Sequence, residues 1–351
     1  MRAPLERPVK RTLILAALLA LVGCGSPVQS AAPSDDAPLT LRLGYFPNLT
    51  HAPALAGLSR GFLAGALGSS VALETHTFNA GPDAVTAILS GSIDAAFIGP
   101  NPTTNAFAQS HGQAIRVIAG ATSGGALLVV RPSIISIAQL KGKKIADPQL
   151  GGTQDVALRW FLKNNGFRSD TAGGGDVSVL PQDNSQTLLA FRQGQIDGAW
   201  VPEPWASRLV LEGGGRVLVD ERDLWPQGNF VTTNLAVRTE FLRAHPKRIR
   251  ALVEGLYQAV GYLKSNPDEA QKVANEAVAQ VTGKKLAAGV VAAAWPHITF
   301  TLDPLAPTLK ASADHARAVG LLGSVDLHGL YDLALLNQVL AEHGQSEVQG
   351  L

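Results

Sequence analysis

The chain has 351 residues, 46% apolar and 16% charged, with a formal net charge of +1. That length allows two domains of ordinary size, and that composition can fill a packed core, which excludes a disordered protein. The near-neutral balance offers no basic field to nucleic acid, and the single cysteine, Cys24, excludes an internal disulfide and any multi-cysteine metal site.

At the N-terminus, Arg2, Arg7, Lys10 and Arg11 precede the ten-residue apolar run LILAALLALV (13–22). Ten residues are too few to span a bilayer but suit an export signal. The run ends in LVGC (21–24), which resembles the bacterial lipobox. Residues 1–23 are therefore expected to be a lipoprotein signal peptide and Cys24 the lipidated residue. Residues 24–38, rich in small residues and proline, are expected to form a flexible tether. The alternative is an ordinary secretory signal with an incidental cysteine. Removing residues 1–23 takes away four positive charges and one negative, leaving the mature chain near −2.

The folded part opens with a strand, LRLGYF (41–46), the loop PNLT, and a helix from about His51 to Arg60. VALETHTF (71–78) alternates like a strand, and DAVTAILSG (83–91) has helical spacing with Gly91 as its stop. KKIADP (143–148) is another strand. A Gly-rich turn follows, then the helix TQDVALRWFLKNNG (153–166) with Thr153 as N-cap and Gly166 as stop. One phrase occurs twice: GSIDAAFIGPNP (91–102) and GQIDGAWVPEP (194–204). Gly91, Ile93, Asp94 and Ala96 match Gly194, Ile196, Asp197 and Ala199, and Phe97 corresponds to Trp200. The second copy also follows a strand, VSVL (177–180), and a helix, QTLLAFRQG (186–194). The apolar run in each phrase suits a parallel strand covered on both faces. Ligands of open parallel sheets bind outside the carboxyl ends of the strands, where this chain carries GPNPT and PEPW.

The segments GYFPNLTHAPALAG, GSIDAAFIGPNPT, LKGKKIADPQLGGTQDVALR and IDGAWVPEPW resemble, in order and spacing, the substrate-binding proteins of ABC importers for aliphatic sulfonates, taurine and nitrate. The resemblance runs over roughly residues 40–340. The PN…HAP opening (47–53) also resembles binders of thiamine-precursor pyrimidines. The resemblance implies an α/β, two-lobed periplasmic-binding-protein fold of type II, each lobe a sheet flanked by helices, with the ligand in the interlobe cleft. Lobe 1 is expected to be residues 39–130 and 234–351, and lobe 2 residues 131–233, with crossings near 128–133 and 230–237. The residues from Glu240 onward read as helices returning to lobe 1, and LAAGVVAAAW (286–295) is too short to span a membrane. The implied protein is a monomer, lipid-anchored to the cell membrane on its periplasmic side. It would deliver a small organic anion, a sulfonate or taurine-like compound, to ABC permease and ATPase subunits, with no cofactor. The alternatives are a thiamine-precursor pyrimidine or nitrate as ligand and, remotely, an enzyme of the same fold. No GxSxG, HExxH or Walker A sequence is present, so the chain is read as a binder and not as an enzyme.

Candidate ligand contacts are mostly neutral donors. Thr153 and Gln154 offer hydroxyl, amide and backbone N–H groups from lobe 2. Asn48, Asn101 and Thr103 offer donors from lobe 1, and Ser123 and Gly124 form a small-residue loop able to approach ligand oxygens. Converging neutral donors suit a sulfonate, which needs no full ion pair. Trp200 is expected to line the cleft. His51 either caps its own helix or donates to ligand. Asp155 either stabilises the first turn of its helix or faces the ligand. Glu203 either binds a ligand amine or ring N–H, or has an internal partner such as a backbone N–H or Arg208.

Overall fold

A computed structural model describes residues 37–351. The expected signal peptide, Cys24 and all but the last two residues of the expected tether lie outside the described residues.

The strands are β1 Leu39–Tyr45, β2 Val71–Thr77, β3 Ala95–Ile98, β4 Ile115–Gly124, β5 Ala126–Val130, β6 Lys144–Asp147, β7 Ser178–Pro181, β8 Gly198–Pro202, β9 Arg216–Asp220, β10 Val231–Arg238 and β11 Ile298–Phe300. They form a six-stranded sheet, β11-β4-β10-β3-β1-β2, and a five-stranded sheet, β7-β6-β8-β5-β9. Apart from β11, the two sheets have the same plan. In each, three parallel strands (β2-β1-β3, β7-β6-β8) are followed by one antiparallel strand (β10, β5) and then a fifth (β4, β9).

This shared plan explains the repeated phrase. The Asp94 carboxylate accepts the Arg42 backbone N–H at 3.0 Å, and Asp197 accepts that of Lys144 at 2.9 Å. Each aspartate also donates its own N–H to the same residue's carbonyl, at 2.8 Å in both copies. Each Ile-Asp pair thus pins its strand to the parallel neighbour. Both faces of each sheet are covered, as the apolar runs required. On the first sheet, α1 Ala52–Ser59, α2 Phe62–Leu67, α9 Pro246–Ser265, α10 Pro267–Thr282 and α13 Ala334–Glu342 contribute to the core around Leu43 and Phe97. The opposite face, with Ala96 and Ile98, carries α3 Gly81–Leu89, α4 Pro100–Gln109 and α12 Ala306–Ala318. On the second sheet, α5 Thr153–Asn164 packs on the face of Trp200, while α6 Asn184–Arg192 and α7 Trp205–Leu211 pack on that of Val201. The short helices α8 Thr239–Ala244 and α11 Ala288–Ala294 complete the C-terminal part. Among the described residues no helix is long and apolar enough to cross a membrane.

The chain changes sheets earlier than the expected crossings. β5, expected at the end of lobe 1, pairs with β8 and β9 in the second sheet. The break falls at Gly124-Gly125, with φ of +76° and +77°, a region that favours glycine. A Cβ on Gly125 would also meet Ile298 and Thr50, each at 2.9 Å. The return precedes β10, which puts Val231–Thr233 in the first sheet. Two apolar strands separated only by glycines read as one continuous run, which displaced the expected boundary.

Candidate functional site

The carboxyl ends of β1, β2, β3, β6, β7 and β8 face each other across a narrow cleft. From the first sheet come Phe46, Asn48, Thr50, His51, Asn79, Ala80, Gly81, Gly99, Pro102 and Thr232; from the second come Pro148, Gly152, Thr153, Gln154, Asn184 and Pro202. The enclosed space is about 30 Å³, room for roughly two waters. The lobes approach closely here: a Cβ on Gly99 would lie 2.2 Å from Thr153 Oγ1. At the rim Gln149 donates to Asp83 at 3.0 Å and Asn79 to Asp183 at 3.4 Å. On one flank His315 of α12 stacks on Trp160 of α5, ring centroids 3.8 Å apart. Burial holds that imidazole down at about 4.

Four helix N-termini open at this cleft, those of α3, α4, α5 and α6, and none has a side-chain cap. Such ends present unsatisfied N–H groups and the positive end of the helix dipole. They are unequal. Pro100 and Pro102 leave α4 only the Asn101 N–H among its first three positions, while α5 opens Thr153-Gln154-Asp155 with all three. The cap of α5 is Gly152 rather than Thr153, which is the first helical residue. Its hydroxyl is therefore not spent on its own helix end.

No lysine, arginine, aspartate or glutamate lines the enclosed space. His51 is fully buried and burial pushes it down to about 3, so the ring is neutral. Its Nδ1 accepts the Phe46 backbone N–H at 3.3 Å, which places the ring proton on Nε2 and makes that atom a donor. Asn48 accepts from Trp205 Nε1 at 2.9 Å through Oδ1, keeping its Nδ2 as a donor. Asn184 Oδ1 is buried with no partner. Behind α5, Asp147 is buried, and desolvation together with Asp155 pushes its carboxyl well above the usual range, which favours its protonated form. His51 Nε2 and Asn48 Nδ2 are thus neutral donors at the cleft, with no carboxylate among the lining residues.

Asn48, His51, Thr153 and Gln154 are thus brought together on the cleft, and the other sequence candidates are not. Trp200 is fully buried in the core beneath α5, 5.3 Å from the Phe161 ring, and its Nε1 donates to Glu221 at 2.8 Å. It sits mid-strand in a sheet with both faces covered, so its side chain meets helices and not the cleft. Glu203 is fully buried and accepts both the N–H and the hydroxyl of Ser207, at 3.0 and 2.9 Å. These bonds hold the carboxylate on the first turn of α7, and Glu203 does not line the cleft; burial pushes its pKa up. Arg208 pairs instead with Glu212. Asp155 accepts Arg159 at 2.6 Å and Gly151 N–H at 2.8 Å, which closes the loop before α5. Asn101 exchanges hydrogen bonds with Ser312, and Thr103 donates to the Gly99 carbonyl. Ser123 accepts Phe230 N–H, and Gly124 is part of the sheet crossing. Phe46, Thr50, Asn79–Gly81, Asn184 and Thr232 were missed. The repeat held a signal for two of these: β2–α3 and β7–α6 are equivalent, so Gly81 and Asn184 open equivalent helices.

The NMT1-like family matches this chain over residues 34–278, most of the described fold. The chain belongs to that family. A protein of Brucella abortus (strain 2308) named as a putative binding protein is 28% identical over 197 residues, 56% of this chain and 59% of that protein. The taurine-binding periplasmic protein of Escherichia coli (strain K12) is 27% identical over 201 residues, 57% of this chain and 60% of its own length. The match thus spans about six tenths of the length of these relatives. The alkanesulfonate-binding protein SsuA of Xanthomonas axonopodis pv. citri, solved bound to MOPS, superposes with a TM-score of 0.70 at 24% identity. That superposition covers 85% of this chain and 99% of the other. It shows a shared two-sheet architecture for this NMT1-like chain.

Proposed function

We propose that this protein is an extracytoplasmic solute-binding protein of an ABC importer, and that its interlobe cleft holds a small sulfonate-class anion. The observation that carries this is the meeting of uncapped helix N-termini with neutral donors and no charged side chain. Such a site favours an anion over a neutral solute, by dipole and N–H groups alone. The family and the relatives named above support a binder over an enzyme. With Glu203 engaged by Ser207, no carboxylate lines the cleft to receive an ammonium group, which favours a plain sulfonate over taurine. Lipid anchoring at Cys24, the monomeric state and the permease and ATPase partners belong to the same proposal. The small enclosed volume favours one second reading, a compact inorganic anion such as nitrate.

Calorimetry with methanesulfonate, taurine, nitrate and a hydroxymethylpyrimidine tests these readings. Methanesulfonate is expected to bind, and Thr153→Ala to weaken it about ten- to a hundredfold, the loss of one or two hydrogen bonds to a charged group. Binding of nitrate alone replaces the sulfonate reading with the second one. Binding of the pyrimidine alone removes both.

A further inference from the structure

Beyond the cleft, the two lobes meet along one stripe of α5. Thr153, Trp160 and Lys163 stand at i, i+7 and i+10, which puts them on one side of the helix. Each meets the first lobe. Thr153 closes on Gly99, the Trp160 ring lies on His315 with 15° between their planes, and Lys163 donates to the Ala318 carbonyl. His315 and Ala318 are one turn apart on α12. That helix is itself fixed to the first lobe: Ser312 exchanges hydrogen bonds with Asn101 of α4, and Thr308 accepts the Val231 N–H at 3.0 Å.

His315 has a second aromatic neighbour. The Trp225 ring, in the connection between β9 and β10, lies 5.4 Å from it at 42°. Trp225 stacks on Phe230 and donates through Nε1 to Glu221 at 3.4 Å, the carboxyl that also accepts Trp200 Nε1 from the core of the second lobe. One imidazole of the first lobe thus meets two indoles held by the second. All three rings are half-buried, and none of them lines the cleft. Burial keeps the imidazole neutral at pH 7, so closing the rings together desolvates no charge.

We propose that His315, Trp160 and Trp225 form an aromatic clasp that holds the two lobes together whether or not the cleft is occupied, and that its opening limits the passage of solute in and out. The three are positioning residues: they hold α5, and with it Thr153, against the first lobe. Their contacts run from protein to protein, and a solute in the cleft neither makes nor replaces them. A contact that stabilises the empty and the filled closed forms alike does not act mainly on affinity. It acts on the step to the open form, by about twofold to tenfold for each aromatic pair.

The test is small-angle scattering of the full chain at pH 7 with no solute added, on the native protein, His315→Ala, Trp160→Ala and His315→Phe. The native chain and His315→Phe, which keeps a ring against the indoles, are expected to scatter as the closed structure does. Both alanine variants are expected to show a larger radius of gyration; if one of them fails to fold, the other decides. Stopped-flow mixing with methanesulfonate adds the rates. In the alanine variants association and dissociation should both be about twofold to tenfold faster, with a smaller change in affinity. Alanine variants as compact as the native chain would overturn the clasp. So would a native chain as expanded as they are, a His315→Phe chain that opens as His315→Ala does, or unchanged rates. If methanesulfonate does not bind, the sulfonate reading fails, and the scattering still decides the clasp.

Discussion

The two copies of the repeated unit share the Ile-Asp pair that leads into the strand and differ at the strand's end. In both, the aspartate pins the strand to its parallel neighbour, and the antiparallel strand donates an N–H to that aspartate's carbonyl, from Arg238 in one copy and Arg131 in the other. Past the strand the copies part. Gly99-Pro100 opens α4 with an uncapped end facing the cleft. Pro202-Glu203-Pro204 instead places a buried carboxylate on Ser207, so the equivalent helix end is filled by the protein itself. The lesson is that the repetition encodes the scaffold, while the site is built from what differs: α4 and α5 are left open and α7 is closed.

The first way to break this comparison is at the aspartates. Asp94 is almost fully buried and holds Arg42 in a two-point pair, at 2.7 and 2.9 Å, as well as Arg238 at 3.2 Å. Asp197 is only half-buried and holds a single backbone N–H by its side chain. Asp94→Ala is expected to cost about 3 kcal/mol of stability, and Asp197→Ala about 1 kcal/mol. Chemical denaturation of both variants measures the difference. Equal losses would show that the two copies are pinned alike and that the arginines add nothing.

The second concerns the ends. Gly99 has an ordinary extended backbone, so an added methyl strains nothing locally, yet it would overlap Thr153 Oγ1 across the cleft. Gly99→Ala is expected to weaken ligand about a hundredfold, some 2.7 kcal/mol, with little change in melting temperature. The same change in a Thr153→Ala background should cost far less, since the atom it meets first is gone. A Gly99→Ala protein with unaltered affinity, measured by calorimetry, would mean that the lobes do not need this approach to hold ligand.

Much of this was legible in the sequence, and the failures share a cause. Strands, helices and the duplicated phrase followed from period, glycine stops and apolar runs. Thr153 and Gln154 could be placed on the cleft because a Gly-rich turn after a strand puts the next helix end at the sheet's carboxyl edge. Trp200, Glu203 and Asn101 misled because residue type was read without direction. An indole N–H, a carboxylate and an amide are equally suited to a ligand and to an internal partner. Only the fold shows that Glu221, Ser207 and Ser312 arrive first. The crossing was misplaced because Gly124-Gly125 breaks a run that composition reads as unbroken.

A further effect comes from one difference inside the strand, Phe97 against Trp200. Phe97 needs no partner, whereas Trp200 at the equivalent position carries an N–H into the core and must bury an acceptor with it. That acceptor, Glu221, also receives Trp225 Nε1 at 3.4 Å, and burial pushes its carboxyl up to about 7. The folded-state value lies above the unfolded one, so the proton is held more tightly in the native protein. The cost is absent below about pH 4.5, grows as pH rises from 4.5 to 7, and is constant above that. Stability should therefore decline over that window in the native chain, by at most about 3 kcal/mol from this group. In Glu221→Gln the decline should flatten. At pH 8 that variant should be more stable by about 1–2 kcal/mol, because the amide oxygen still accepts from Trp200 but loses the stronger bonds of a charged acceptor. Melting curves at pH 5, 6, 7 and 8 read this directly. A slope unchanged by Glu221→Gln would show that the tryptophan pair, and not the proton, keeps this buried carboxyl in place.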